Sequence, residues 1–307
     1  MVLFAMIFAF VISMMILFSL ACLRLILPRP LLVTFAYSHY CETARWALEH
    51  RNLSFREFKV PVGPHAFIVA ILRLVFFRWT DTDTDTSFPG SDQSHPWYSL
   101  ARWRFMRRLS GVPLLITDDA KVLTTSWAIL DSANLPIDPT TRATLDDELG
   151  PAVRTLAYFH IFEHNPALYI ALQSAEPWAM QLFDLCEAVF HPSVRIIDWL
   201  GCNPQGSAAA EATIAKTFGA VSEVLNESPF LGAGSGAEDF GGADLAFASL
   251  AGPLLFPPAY SNGAVTRVPK PWELGARFEA FSRKMGATRA GKHVLKCYAE
   301  QRRRKAE

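Results

Sequence analysis

Hydrophobic and polar positions fall into successive regimes along this chain. Met1 to Leu23 carries no charged residue, and as a helix rising about 1.5 Å per residue such a run is long enough to cross a hydrocarbon layer of about 30 Å. Pro28 and Pro30 close it. "LLVTFAY", Leu31 to Tyr37, has the β-branched and aromatic content of a buried strand. From Glu42 onward Ala44, Ala47 and Leu48 recur at helical spacing, with Glu42, Arg45, Glu49 and Arg51 between them, which predicts a helix to about Asn52. Leu53 to Val60, "LSFREFKV", alternates as a second strand.

Regularity lapses from Pro61 to Ser110, where "TDTDTDT" (Thr80 to Thr86) and a Pro, Gly and Ser cluster predict a low-complexity loop. Order returns with "GVPLLITDDAKVLTTSWAILDSA": "PLLIT" and "KVLT" read as a hairpin turning at Asp118 and Asp119, and Ser126 opens a helix. After the linker-like "NLPIDPTT", helical patterns run from Thr141 to about Arg304, with breaks expected at Gly150, Asn165 to Pro166, Pro192 and "NPQGS". The expected plan is an anchor at 1–27, an α/β domain at 30–133 with an insertion at 61–110, and an all-α domain at 141–304. A chain of 307 residues accommodates two domains of ordinary size.

Composition changes this picture in three ways. The 29 basic and 29 acidic side chains cancel, so no overall field draws the protein to nucleic acid or acidic lipid. The five cysteines are sparse and without metal-type spacing, which points to a reducing compartment for the folded part. Two readings fit the N-terminal run. A cleaved signal peptide is consistent with Ser19, Leu20 and Ala21 before Cys22, whereas a single membrane anchor is favoured by the missing basic n-region and by a length beyond the usual h-region of about 7–15 residues. Arg24, Arg29, Arg45 and Arg51 follow the run, and by the positive-inside tendency the soluble part faces the cytosol.

The order of "SHYCETARWALE", a strand, and "GVPLLITDDAKVLTTSWAIL" resembles the thioredoxin-like domain of cytosolic glutathione transferases. "LDDELGPAVRTLAYFHIF", "SPFLGAGSGAEDFGGADLAFASL" and "AGKHVLKCYAEQRR" are similar to segments of the helical domain of such proteins, so the resemblance covers roughly residues 31 to 303 apart from the insertion. It implies an α/β thioredoxin-like domain followed by an all-α domain, glutathione as co-substrate, a small electrophile as second substrate, and the dimerisation common among relatives. It also implies a cis peptide at Val112–Pro113, beside which a peptide-like ligand pairs with the strand edge. In "EDFGGADLA" it implies a helix beginning at Gly241, with Asp244 accepting from the free backbone N–H groups there.

The same resemblance supplies the candidate site. Ser38 stands where these enzymes carry the residue that contacts the glutathione sulfur, and Cys41 where glutaredoxin-like proteins keep their second thiol. A thiol near its ordinary pKa of about 8.5 needs a donor to hold it as thiolate, and a hydroxyl at a helix N-terminus adds the helix dipole to that hydrogen bond. Ser38 also reads as a plain N-cap, and Cys41 either as a thiolate at the first helical turn or as a packed thiol. Val112 and Pro113 are assigned to the tripeptide backbone and Ser126 to its γ-glutamyl carboxylate, with an N-cap again the alternative for Ser126. Thr125 departs from the family's acidic residue and has no charge for the glutathione ammonium.

Other positions add less. Arg102, Arg104, Arg107 and Arg108 read as solvated charge or as a carboxylate hold. "YFHIFEHNPALYI" (Tyr158 to Ile170) and Trp178 read as core or as the wall of an apolar co-substrate pocket. His160 and His164 stand four apart on a helix, which is metal-ligand spacing, but with no third ligand evident a packed pair and no metal site is expected. Three functions remain open: a membrane-anchored glutathione transferase working through Ser38, a thiol reductase working through Cys41, and a non-catalytic module of the same fold.

Overall fold

The computed structural model describes residues 26–60, 65–76, 111–164, 201–232, 239–265 and 267–302. At its centre β1 (Leu31–Thr34) is buried at every position because both faces of its sheet are covered. Leu31 and Val33 point to one side, with Val60, Leu114 and Ile116, while Leu32 points to the other, with Leu115 and Leu123, as the period of two requires. The sheet order is β2–β1–β3–β4. β2 (Arg56–Lys59) runs parallel to β1, β3 (Leu114–Ile116) antiparallel to β1, and β4 (Val122–Leu123) antiparallel to β3. The hairpin turns where expected, with the Thr117 hydroxyl donating to Lys121 O at 3.0 Å.

α1 (His39–His50) and α3 (Ser126–Ser132) cover one face of the sheet through Ala44, Leu48 and Ile129. The other face is closed by α2 (His65–Phe76), a helix where a loop was expected. Val69, Leu72, Val75 and Phe76 recur at three- and four-residue intervals and pack on Val33 and Ile116. Their neighbours in "HAFIVAILRLVF" are apolar too, and that near-continuous run hid the period. The acidic repeat and the four arginines of the insertion lie outside the described residues.

The helical half begins with α4 (Pro139–Ala143), passes through a π-helical turn over Thr144–Leu149 and continues as α5 (Gly150–His164). Gly150 is therefore a change of helix type rather than the expected break. The "NPQGS" break is the start of α6 (Pro204–Glu227), where Asn203 Oδ1 accepts from Gly206 N at 2.8 Å. The breaks placed at Asn165 to Pro166 and at Pro192 lie outside the described residues. α7 (Gly242–Leu255) is buried from Gly242 to Leu254 and forms the axis of this half, flanked by α8 (Ala276–Ala287) and α9 (Arg289–Glu300). Its N-terminus matches the expected cap: Asp244 Oδ2 accepts from Gly241 N at 3.1 Å, and Oδ1 accepts from Leu231 N at 2.9 Å and from the His293 ring at 2.8 Å.

α1 joins the two halves. Thr43 and Ser249 share a 2.6 Å hydrogen bond across the α1–α7 contact. Arg302, beyond α9, binds Glu42 Oε1 at 2.9 Å, and Arg45 binds Glu42 and Glu57 at 2.6 Å each. Buried charges of this kind are tolerated only when paired and hydrogen-bonded, as these are. Among the described residues no helix is long and apolar enough to cross a membrane; residues 1–25, which hold nearly all of the expected anchor, lie outside them.

Candidate functional site

The register brings the sequence-predicted residues to one end of the sheet. Val33 pairs with Leu114 and Leu115 with Leu123, so Phe35 to Ser38, Val112–Pro113 and Thr125–Ser126 all leave the sheet on the same side. The Val112–Pro113 peptide is cis.

Ser38 follows a turn in which its N–H donates to Phe35 O at 3.3 Å. Its extended backbone (φ −69°, ψ 127°) and its Oγ, which accepts from Cys41 N at 3.4 Å, make it the N-cap of α1. The residue is half-buried. Cys41 is different. It is 0% exposed and its Sγ accepts from Phe35 N at 3.3 Å. Burial pushes its thiol up to about 11, against smaller downward pulls from Ser38 and the Phe35 N–H. A thiol with that pKa is thiolate in roughly one molecule in ten thousand at pH 7. Its burial and the Phe35 N–H contact are those of a packed thiol that ties the β1–α1 turn.

Thr125 is the N-cap of α3, its Oγ1 accepting from Ala128 N at 3.0 Å. Ser126 sits at the first helical position and is buried. Three neighbours went unread in the sequence. The buried His39 ring donates from Nε2 to Gly150 O at 3.0 Å, and burial, helped by the Arg154 charge, pushes its pKa down to about 3. Tyr40 crosses the π-turn so closely that a Cβ at Gly150 would lie 2.3 Å from its hydroxyl, so a larger residue there displaces the Tyr40 ring. Tyr37 packs its ring 5.7 Å from Tyr260, whose hydroxyl donates to Tyr37 O at 2.7 Å. These contacts clamp both ends of the Ser38 turn against the helical half. Contact across more than a hundred residues left no local signal to read.

The chain aligns over 90% of its length with all of glutathione transferase GSTFuA2 from Phanerochaete chrysosporium, at a TM-score of 0.50 and 15% identity. The fold is that of a glutathione transferase. GSTFuA3 from the same organism (TM-score 0.49, 13% identity, covering 90% of this chain and 98% of that one) and the beta-etherase LigF from Sphingobium sp. strain SYK-6 (0.42, 18%, 87% and 98%) are looser matches. No protein-family model matches the chain, and no curated protein matches it.

Of the apolar wall expected from Tyr158 to Trp178, Tyr158 is partly buried with its ring 6.3 Å from Phe162, and Trp178 lies outside the described residues. Further along α5, His160 is 1% exposed and its ring stacks 5.6 Å from that of His164. The carboxylate of Glu163 lies between them, 3.3 Å from His164 Nε2 and 3.9 Å from His160 Nδ1.

Proposed function

We propose that this chain is a glutathione transferase that joins glutathione to small electrophiles through Ser38. The observation that carries the reading is the half-buried Ser38 at the N-terminus of a twelve-residue helix, at the same end of the sheet as the Val112–Pro113 turn. Its lone pair accepts the Cys41 N–H, and in this reading its proton turns from the neighbouring Cys41 thiol to the sulfur of the bound tripeptide. A hydrogen bond to a charged acceptor contributes about 1.5–3 kcal/mol, which lowers a thiol pKa by roughly 1–2 units. The glutathione thiol then releases its proton to water, and the thiolate pair forms a C–S bond to the electrophile while a leaving group or the electrophile's own π-bond takes the displaced electrons. In this reading Val112 holds the tripeptide backbone and Ser126 the γ-glutamyl carboxylate.

Steady-state conjugation of an aromatic halide tests it. Ser38→Ala lowers kcat/KM at least about tenfold at pH 6.5 and Cys41→Ala changes it less than about twofold. Equal rates for Ser38→Ala and the parent protein contradict it. A second reading, a non-catalytic module of the same fold, draws support from Thr125, which is uncharged and whose hydroxyl is already engaged by Ala128 N–H. Calorimetric titration with glutathione separates the two, since the module gives no binding isotherm.

We further propose that residues 1–27 anchor the protein in a membrane with the folded part in the cytosol, and that the folded part pairs with a second copy of itself. Support for the anchor is the uncharged run from Met1 to Leu23 with arginines only after it. The full chain then stays with membranes through an alkaline carbonate wash, whereas a chain starting at residue 28 is released. Equal release of both removes the anchor.

A further inference from the structure

We infer that His160, Glu163 and His164 form a metal site for Zn2+ or a similar divalent transition ion. On sequence alone His160 and His164 were expected to be a packed pair without a metal. The structure adds a carboxylate at the third position, and the metal-binding atoms of all three lie within 4.8 Å of one another. Four ligands around zinc at about 2.0–2.1 Å stand about 3.3–3.5 Å apart, so the 3.3 and 3.9 Å separations measured from Glu163 need only small side-chain adjustments to close on an ion. Two imidazoles and one carboxylate are the ligand types that select zinc-like ions over magnesium or calcium, and three ligands leave a position open.

One feature points to an ion rather than to a chance group of polar side chains. His160 is 1% exposed, yet among the described residues neither of its ring nitrogens has a hydrogen-bond partner, and its ring lies 5.5 Å from that of Phe278 and 5.0 Å from that of Phe159. A buried imidazole in that state lacks the partner that buried polar groups nearly always have, and an ion at Nδ1 supplies one. Gly275, ahead of α8, has φ +92° and packs against the His164 ring. Arg277, whose charge reaches His160, is held by Glu211 through contacts of 2.9 and 3.2 Å, which offsets its repulsion of a cation.

The site is separate from the proposed glutathione site. His160 lies ten residues along α5 from Gly150, whose carbonyl holds His39, a rise of about 15 Å. Its open side is outward, because Glu163 and His164 are exposed.

Titration of the full-length, metal-stripped protein with Co2+ and then Zn2+ tests the assignment. One equivalent of Co2+ gives visible d–d bands without a thiolate charge-transfer band, Zn2+ displaces it, and Zn2+ raises the melting temperature. His164→Ala and Glu163→Gln, both at exposed positions, weaken binding at least about a hundredfold and lose the Zn2+-dependent rise while melting like the parent without metal. Absence of saturable binding, a thiolate band, or binding by His164→Ala equal to the parent's overturns the site.

Discussion

The starts of α1 and α7 solve the same problem in opposite ways. Each must satisfy backbone N–H groups that a helix leaves unpaired. At α7, Asp244 is 0% exposed and commits its carboxylate to Gly241, Leu231 and His293, all within 3.1 Å. At α1, Ser38 is only half-buried, makes a long 3.4 Å cap and lies against the Cys41 thiol. A terminus whose acceptors are all engaged serves stability. One whose cap is long and less deeply buried has room for a ligand, and that difference supports the role proposed for Ser38.

The largest effect that sharpens this contrast is expected at the closed terminus. Asp244→Ala leaves two backbone donors and a buried imidazole without their acceptor and lowers unfolding free energy by about 4 kcal/mol, read from urea denaturation. A loss no greater than that of an ordinary cap would erase the distinction.

Next is acid sensitivity at the clamp beside Ser38. The buried His39 has its pKa lowered from 6.5 to about 3. The unfolded chain therefore binds the extra proton between those values. Stability from the neutral ring is whole above about pH 6.5 and is lost as pH falls toward 3, at up to about 1.4 kcal/mol per pH unit. His39→Gln, which keeps a donor for Gly150 O, reduces that slope by up to one proton; denaturation curves between pH 4 and 7 measure it.

A smaller change is expected at the open terminus, where Ser38→Ala costs about 1 kcal/mol of stability while its activity falls at least about tenfold. The smallest tests Thr125. Thr125→Asp keeps the N-cap and adds the charge that the glutathione ammonium lacks, tightening glutathione binding by about threefold to tenfold in calorimetry.

Legibility followed how local each signal was. β1, α1 and the β3–β4 hairpin were readable because their periods and the Asp118–Asp119 turn lie within a few residues, although β1 ends at Thr34 rather than Tyr37 and α1 starts at His39 rather than Glu42. Ser38, Asp244 and the cis Val112–Pro113 bond were readable through family-like motifs. α2 was not, since an apolar residue at nearly every position erases the period that distinguishes helix from strand. The burial of Cys41, the His39–Gly150 contact and the orphaned His160 nitrogens depend on packing between segments far apart in the chain. Glu163 stood in plain view next to His164, but its relevance depended on the orientation of the imidazoles.

The central claim is that the Ser38 hydroxyl holds the glutathione sulfur as thiolate, and the thiolate's ultraviolet absorbance measures this directly. Difference spectra of protein-bound glutathione, titrated with pH, are predicted to give a thiol pKa about 1–2 units below the ordinary thiol value in the parent protein and close to that value in Ser38→Ala. The same pKa in both proteins would contradict the account.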